Sequence, residues 1–341
     1  ATVVGGRNIG DEYFEADEGF NFGDMDVLAV GPIVNSVSDA FDRYWNSDLA
    51  FPVSALGVGE EPGLLDGARD HLAADIAALP DSIYGRRLRT ASITRRLEAG
   101  ELALFWGPAR LLYDLPEKVR MDAEDNSTHL GPELVELLTS VTDDLILVSP
   151  YFVPGKQGTA ALRALVAQGC RVTVLTNSLA ATDVPAVHAG YARYRRELVE
   201  AGVELFEMRP AVSSMKETSR RFGESQASLH AKTMVFDGQQ VLVGSMNLDP
   251  RSNLLNTEMG ILIENPALAR AVVDWRDRSL PEIAWRIELE RRDATDSKPR
   301  LVWVGLEDGE ETRRYDREPA ASVWEKTQAT LFGLLPIERQ L

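Results

Sequence analysis

His230-Ala231-Lys232-Thr233-Met234-Val235-Phe236-Asp237 is followed by Gly244-Ser245-Met246-Asn247 and, eleven residues after Asn247, by Glu258. His230 and Lys232 stand two apart, so in an extended chain they share a face. Asp237-Gly238 is a strong turn signal that reverses the chain. The return strand then delivers Ser245 and Asn247, again two apart on one face. An imidazole, an ammonium, a hydroxyl and an amide can thereby converge on one small anion. Imidazole acts as nucleophile or proton carrier near neutral pH. The other three groups can neutralise and hydrogen-bond the equatorial oxygens of a phosphoryl group. The clustered His/Cys/carboxylate spacing of a metal site is missing from the sequence, and the Lys-Ser-Asn set takes over the charge a metal would supply. No metal and no cofactor are therefore expected.

The positioning elements carry a long-period repeat. Val3-Val4-Gly5-Gly6-Arg7-Asn8-Ile9 matches Leu242-Val243-Gly244-Ser245-Met246-Asn247-Leu248, and Asp24 to Pro32 parallels Glu258 to Pro266. Each copy reads strand, Gly-small-x-Asn, polar loop, acidic residue, apolar strand, Pro, helix. Between the copies, Leu145–Ser149, Arg171–Thr176 and Val203–Glu207 read as strands, with helices over Ala160–Gln168 and Val187–Ala201 closed by Gly169 and Gly202. That βαβαβ rhythm predicts right-handed crossovers and a largely parallel core sheet covered by helices on both faces. Thr233–Phe236 and Gln240–Val243 form a hairpin, Leu301–Gly305 reads as a strand, and Glu60–Gly100 is helical and charged. The polar stretch around Asp125-Asn126-Ser127-Thr128 places a domain boundary between residues 125 and 126. The opening Ala1-Thr2-Val3-Val4 reads as the end of a buried strand.

With 341 residues, 44% of them hydrophobic and 26% charged, the chain has the profile of about two folded domains. Its 36 basic and 53 acidic residues leave a net charge of −17. That balance argues against nucleic acid as a general partner, since affinity there rests on Lys and Arg. The lone Cys170 reads as a packing residue. No apolar run reaches the ~18 residues of a membrane-spanning helix, so membrane contact is expected to be peripheral. The short apolar run Leu331–Ile337 is expected to dock on the core, with an interfacial membrane contact as the rival reading. Arg193, Arg195 and Arg196 read as a solvated helix face, and Lys216, Arg220 and Arg221 as a loop that is either solvated or a phosphate-binding rim.

His230, Lys232, Asp237, Gly244, Ser245 and Asn247 fill the pattern HxKxxxxDxxxxxxGSxN, six fixed positions in 18 residues. The sequence resembles the phospholipase D superfamily, which that pattern marks. Ser149 to Pro154, Leu175 to Leu179, Ala186 to Tyr191, Gly244 to Ser252 and Leu334 to Glu338 resemble the bacterial cardiolipin synthase-like subtype without amino-terminal membrane helices. The likeness runs from Gly5 to Leu341.

The resemblance implies an α/β fold of two similar phospholipase D-like domains, 1–125 and 126–341, with mostly parallel or mixed sheets flanked by helices. Its active site would lie at the pseudo-twofold interface. It implies a phosphatidyltransferase that works through a phosphohistidine on phosphatidylglycerol, with phosphatidylethanolamine a second lipid, at the cytoplasmic side of the inner membrane. Gly6, Asn8 and Asp24 are then the remnant of a first motif. Matching Gly5 to Gly244 sets the first-motif His 14 residues before Gly5, so its His, Lys and Asp are expected upstream of residue 1. Within the family mechanism His230 is the general acid and base, with Lys232, Ser245 and Asn247 on the phosphate. Glu258 is expected to fix the His230 tautomer, and Asp24 to do the same for the missing His. Asp237 belongs to the motif but reads as a turn residue. His188, Tyr151 and Arg221 are headgroup-contact candidates, His188 with a packing role as its rival. Two alternatives stay open: a phosphodiester hydrolase using the same site, and a catalytically incomplete lipid-binding fragment.

Overall fold

The computed structural model describes the chain apart from residues 15–19, 57–62, 91–94, 97–98, 103, 123–124, 211–225, 292–297 and 308–309. The strands are β1 (Thr2–Gly5), β2 (Phe20–Gly23), β3 (Asp26–Ala29), β4 (Ala109–Tyr113), β5 (Asp144–Val148), β6 (Arg171–Asn177) and β7 (Glu204–Met208). They continue with β8 (Gln226–Leu229), β9 (Thr233–Phe236), β10 (Gln240–Gly244), β11 (Met259–Glu264), β12 (Ala284–Glu290), β13 (Arg300–Glu307) and β14 (Glu310–Tyr315). The helices are α1 (Ile33–Trp45), α2 (Leu64–Ala78), α3 (Ile83–Thr90), α4 (Gly131–Ser140) and α5 (Gly155–Ala167). After these come α6 (Pro185–Ala201), α7 (Pro250–Leu254), α8 (Pro266–Ile283) and α9 (Val323–Gly333).

Ten strands form one mixed sheet in the order β14-β13-β12-β7-β6-β5-β9-β10-β11-β4. Its parallel part is β5-β6-β7, the stretch where crossover helices α5 and α6 connect the strands. The other neighbours are antiparallel. Strand β5 shows why a continuous apolar run was needed. Leu145 and Leu147 join the core beneath α4, α5 and α6, while Ile146 and Val148 join the opposite core beneath α8. Alternate side chains thus enter two different cores. Glycines at φ 98° and 96°, Gly169 and Gly202, follow the two crossover helices as expected.

Three expectations change. Strand β4 lies on the N-terminal side of the boundary drawn between 125 and 126, yet it closes the edge of the ten-stranded sheet against β11. That boundary therefore does not separate two sheets. Arg195 is not solvated. It is buried on the inner face of α6, bonded to Glu207 at 2.7 Å and Glu318 at 2.7 Å. The apolar run in the tail docks only in part: Phe332 and Ile337 are half-buried, while Leu331, Leu334 and Leu335 stay exposed. Polar groups hold the tail as well. Arg193 donates to the carbonyls of Gly333 and Leu335, and the Arg251 amide donates to the Leu341 carbonyl.

The internal repeat is preserved down to register. β1 and β3 pair antiparallel with Gly5 opposite Asp26, and β10 and β11 pair antiparallel with Gly244 opposite Gly260. Asp26 and Gly260 are each two residues past the acidic residue of their copy, Asp24 and Glu258. The small β1–β3 sheet packs Val4 and Val27 against Ile261 and Ile263 of β11. The two copies are thereby brought together by apolar burial. A third sheet of β2 and β8, paired in parallel, threads the first copy alongside the segment that leads into His230.

Candidate active site

Gly23 ends β2, and its carbonyl accepts from both the His230 and Ala231 amides, at 2.7 and 3.1 Å. This backbone clamp sets His230 next to the first copy. Gly6 then fits closely beside it. A Cβ on Gly6 would stand 2.8 Å from Lys232 Cδ and 3.0 Å from both Asp24 Oδ1 and the His230 carbonyl. Only glycine permits that approach.

His230 Nδ1 lies 2.8 Å from Asp24 Oδ2, and the Asp24 side chain is fully buried. A carboxylate only accepts, so Nδ1 carries the proton and Nε2 is the reactive nitrogen. This pairing corrects the expected one. Asp24, from the first copy, orients His230, and Glu258 does not. Glu258 instead accepts from Ser245 Oγ at 2.5 Å. Two aromatic rings complete the imidazole's setting. Tyr13 meets it edge-on with centroids 5.0 Å apart, and Phe22 at 5.1 Å, while Tyr13 and Phe22 stack at 4.6 Å. Asn8 donates to the Tyr13 hydroxyl at 3.2 Å, so its link to the imidazole runs through that ring.

Lys232 is buried, its Nζ bonded to the His230 carbonyl. Burial pushes its ammonium down to about 8, against the opposing pull of Asp24, Glu258, Asp183 and Asp249. Asn247 is also buried, and its Oδ1 has no partner among the described residues. Burial raises Glu258 above the usual carboxylate range despite the hydrogen bonds it accepts. Asp114 sits behind it, fully buried. Asp114 takes the amides of Glu258 and Leu130 at 2.7 Å each and the Lys118 ammonium at 2.9 Å. Lys118 also reaches the Ser252 carbonyl in α7.

Not every motif residue joins this cluster. Asp237, at φ 50°, lies at the far end of β9 from His230. Its carboxylate accepts from the amides of Thr142, Asp143 and Asp144, so it ties the hairpin to the start of β5. His188 is buried elsewhere, with Glu318 3.4 Å from its Nε2 and Tyr191 edge-on at 5.5 Å. Tyr151 donates to both oxygens of Asp183, at 2.9 and 2.8 Å. Burial, then Asp183 and more weakly Tyr13 and Asp249, push its hydroxyl pKa far up. Arg221, with Lys216 and Arg220, falls outside the described residues. Sequence reasoning missed Tyr13, Phe22, Asp183 and the Asp114–Lys118 pair. The aromatic residues in the longer first-copy loop, between Asn8 and Asp24, were the available signal for the first two.

The ammonium of Lys232 yields a pH prediction. Below about 8 it is charged and can hold a phosphate oxygen. Thermal protection by inorganic phosphate should fade as pH rises through that value. Stability of the free protein should move oppositely between about 8 and the ordinary 10.5, because there the unfolded chain binds more protons than the folded one. Melting curves with and without phosphate across this range check both signs, and Lys232→Arg should retain protection at high pH.

This hairpin-borne imidazole and ammonium, inside an α/β fold built on two copies of one motif, is the arrangement of the phospholipase D class of phosphodiester-bond enzymes. Residues 134–279 match the family model described as "Cardiolipin synthase, PLD-like domain". The chain is 39% identical over 347 residues to cardiolipin synthase C of Escherichia coli K12, covering 99% of this chain and 70% of that protein. It is 30% identical to an uncharacterised protein of Helicobacter pylori, covering 91% of this chain and 59% of the relative. The crystal structure of phosphatidylserine synthase from Haemophilus influenzae shares the fold, at 18% identity and a TM-score of 0.52, covering 82% of this chain and 59% of that one. The chain belongs to the phospholipase D-like phosphatidyltransferases, in their cardiolipin synthase branch. Among the described residues no helix is long and apolar enough to cross a membrane.

Proposed function

We propose that the protein transfers a phosphatidyl group onto phosphatidylglycerol to make cardiolipin, with phosphatidylglycerol or phosphatidylethanolamine as donor. The observation that carries this is the buried Asp24–His230 pair with Lys232, whose carbonyl accepts from the Gly244 amide at the head of the Ser245–Asn247 segment. It supports an imidazole with a defined tautomer next to groups suited to a phosphate. An imidazole nitrogen attacks phosphorus, and the bond to the leaving alcohol breaks. His230 enters this step as the imidazolium, Nδ1–H on Asp24, and gives that alcohol its Nε2 proton, leaving the neutral ring. The hydroxyl of an incoming phosphatidylglycerol then gives a proton back to His230 and attacks phosphorus, and the P–N bond of the phosphohistidine breaks. Lys232 and Asn247 hold the phosphoryl oxygens, and Ser245 joins them by turning its hydroxyl from Glu258 when substrate binds.

The nucleophilic imidazole belongs, in this reading, to the first motif copy. None of the chain's other histidines serves: His71 is exposed on α2, and His129 and His188 have contacts away from His230. Glu258 is left to orient that first-copy imidazole, the exchange counterpart of Asp24. The reaction takes place at the cytoplasmic face of the inner membrane.

The test is incubation with phosphatidylglycerol, with and without phosphatidylethanolamine, followed by lipid mass spectrometry. Cardiolipin should form where a first-motif imidazole is supplied, and the 341 residues alone, with His230 as their one site histidine, should form little or none. Robust cardiolipin formation by the chain alone would overturn the two-imidazole reading. Phosphatidic acid in place of cardiolipin would assign the site to hydrolysis.

A further inference from the structure

Helix α2 is only weakly amphipathic, yet its apolar side chains are left exposed. Leu65, Ala68, Leu72 and Ile76 recur at helical spacing in a stripe edged by Arg69 and Asp75, with Asp66, Asp70 and His71 elsewhere around the helix. Yet every side chain from Leu65 to Ala78 is exposed, Leu72 by 58% and Ile76 by 59%. Helices in proteins draw most of their stability from packing an apolar face. The segment leading into α2 has the same character: Phe51, Val53 and Leu56 are exposed, as are Phe41 and Trp45, stacked on each other at the end of α1.

Charge identifies what covers this face. A short turn, Leu79–Asp81, joins α2 to α3. Between Ile83 and Arg96 the chain carries five arginines (86, 87, 89, 95 and 96) and no acidic residue, although its net charge is −17. Arg86, Arg89, Arg95 and Arg96 are exposed. Arg89 and Arg96 donate to the backbone carbonyls of Pro80 and Glu101, contacts that leave their charge in place. An apolar helix face followed directly by a basic cluster matches an interface with acyl chains below and anionic headgroups above. A strongly acidic chain would otherwise be repelled by such a surface, so this cluster also sets which side approaches.

We propose that α2, α3 and the apolar segment before them form the surface that seats the protein on an anionic bilayer. The proposal rests on the reading of the substrate as a phospholipid and says where the chain meets the membrane that holds it. Each arginine near an anionic surface strengthens partitioning about fivefold.

The experiment measures co-sedimentation of the protein with phosphatidylcholine vesicles, with and without phosphatidylglycerol. The variants are Leu72→Asp/Ile76→Asp and Arg86→Glu/Arg89→Glu, whose exposed side chains are not needed for the core. Turnover is followed in parallel on a short-chain phosphatidylglycerol below its critical micelle concentration. Wild-type binding should require phosphatidylglycerol and weaken with salt. Both variants should bind at least tenfold less while keeping turnover on the dispersed substrate. Wild-type-like vesicle binding by both variants overturns the proposal. So does a change from dimer to monomer in Leu72→Asp/Ile76→Asp with vesicle binding kept, which would make a second copy the occupant. Loss of nucleic-acid binding in place of vesicle binding by the arginine variant overturns it too. Binding that follows the expected pattern without any turnover on the dispersed lipid would support the surface and refute the transferase reading.

Discussion

Replacing His230 by alanine is expected to lower phosphatidyl transfer by about 10²–10⁴-fold, the contribution typical of a proton-transfer catalyst. The fold should survive, since the ring is held at its edge by Tyr13, Phe22 and Asp24 and does not fill the main core. Asp24→Asn ranks second. It keeps an acceptor 2.8 Å from Nδ1 but removes the negative charge that faces the ring. Glu258→Gln should cost as much or less, because Glu258 has no contact with His230 and accepts from Ser245 and Asn256. Asp237→Asn should leave turnover per folded molecule unchanged and lower the melting temperature. Burial disfavours the Asp237 carboxylate, yet the amides of Asp143, Asp144 and Thr142 outweigh it and hold its pKa below the usual value. Its contribution is therefore present above the ordinary carboxylate range and is lost as pH falls through the lowered pKa. Turnover and melting curves for the four variants decide the order. Full activity in Asp24→Asn would separate the buried pair from the chemistry. Abolished turnover in Asp237→Asn at an unchanged melting temperature would return that residue to the site.

Asp114→Ala should be the most destabilising of the single substitutions considered, by about 3–5 kcal/mol, the usual consequence of breaking a buried ion pair from one side. The Asp114 and Lys118 side chains are essentially inaccessible to solvent. Removing the carboxylate strands the Lys118 ammonium and leaves the Glu258 and Leu130 amides without their acceptor. The pair ties together the end of β4, the turn over Pro116–Arg120, α7 and the segment entering β11. Asp114→Leu combined with Lys118→Met should be milder than Asp114→Ala alone, since no unpaired charge remains, although the two amides still lack a partner. Denaturant melts of the three variants test this. A double variant less stable than Asp114→Ala would show that the polar contacts to the backbone outweigh the stranded charge.

Local chemistry made much of this protein legible from its sequence. The alternation of Leu145, Ile146, Leu147 and Val148, the glycines after α5 and α6, and the Asp237-Gly238 turn each act within a few residues. Periodicity and backbone preference were enough to place them. The motif spacing set His230 and Lys232 just before β9 and Ser245 and Asn247 just after β10, at one end of the hairpin, for the same reason, and the repeat anticipated the matched registers of β1–β3 and β10–β11. Arg195 was misread because its helix position beside other arginines is polar, and its partners Glu207 and Glu318 lie on other elements. The pairing of His230 with Asp24 was out of reach for a deeper reason. Two similar copies offer two equivalent pairings, each imidazole with its own acid or with the other's, and spacing within a copy cannot choose between them. Asp24 and His230 are 206 residues apart. What chose was the burial of the small β1–β3 sheet on β11, together with the threading of β2 beside β8, which bring Asp24 to His230 and leave Glu258 bonded to Ser245.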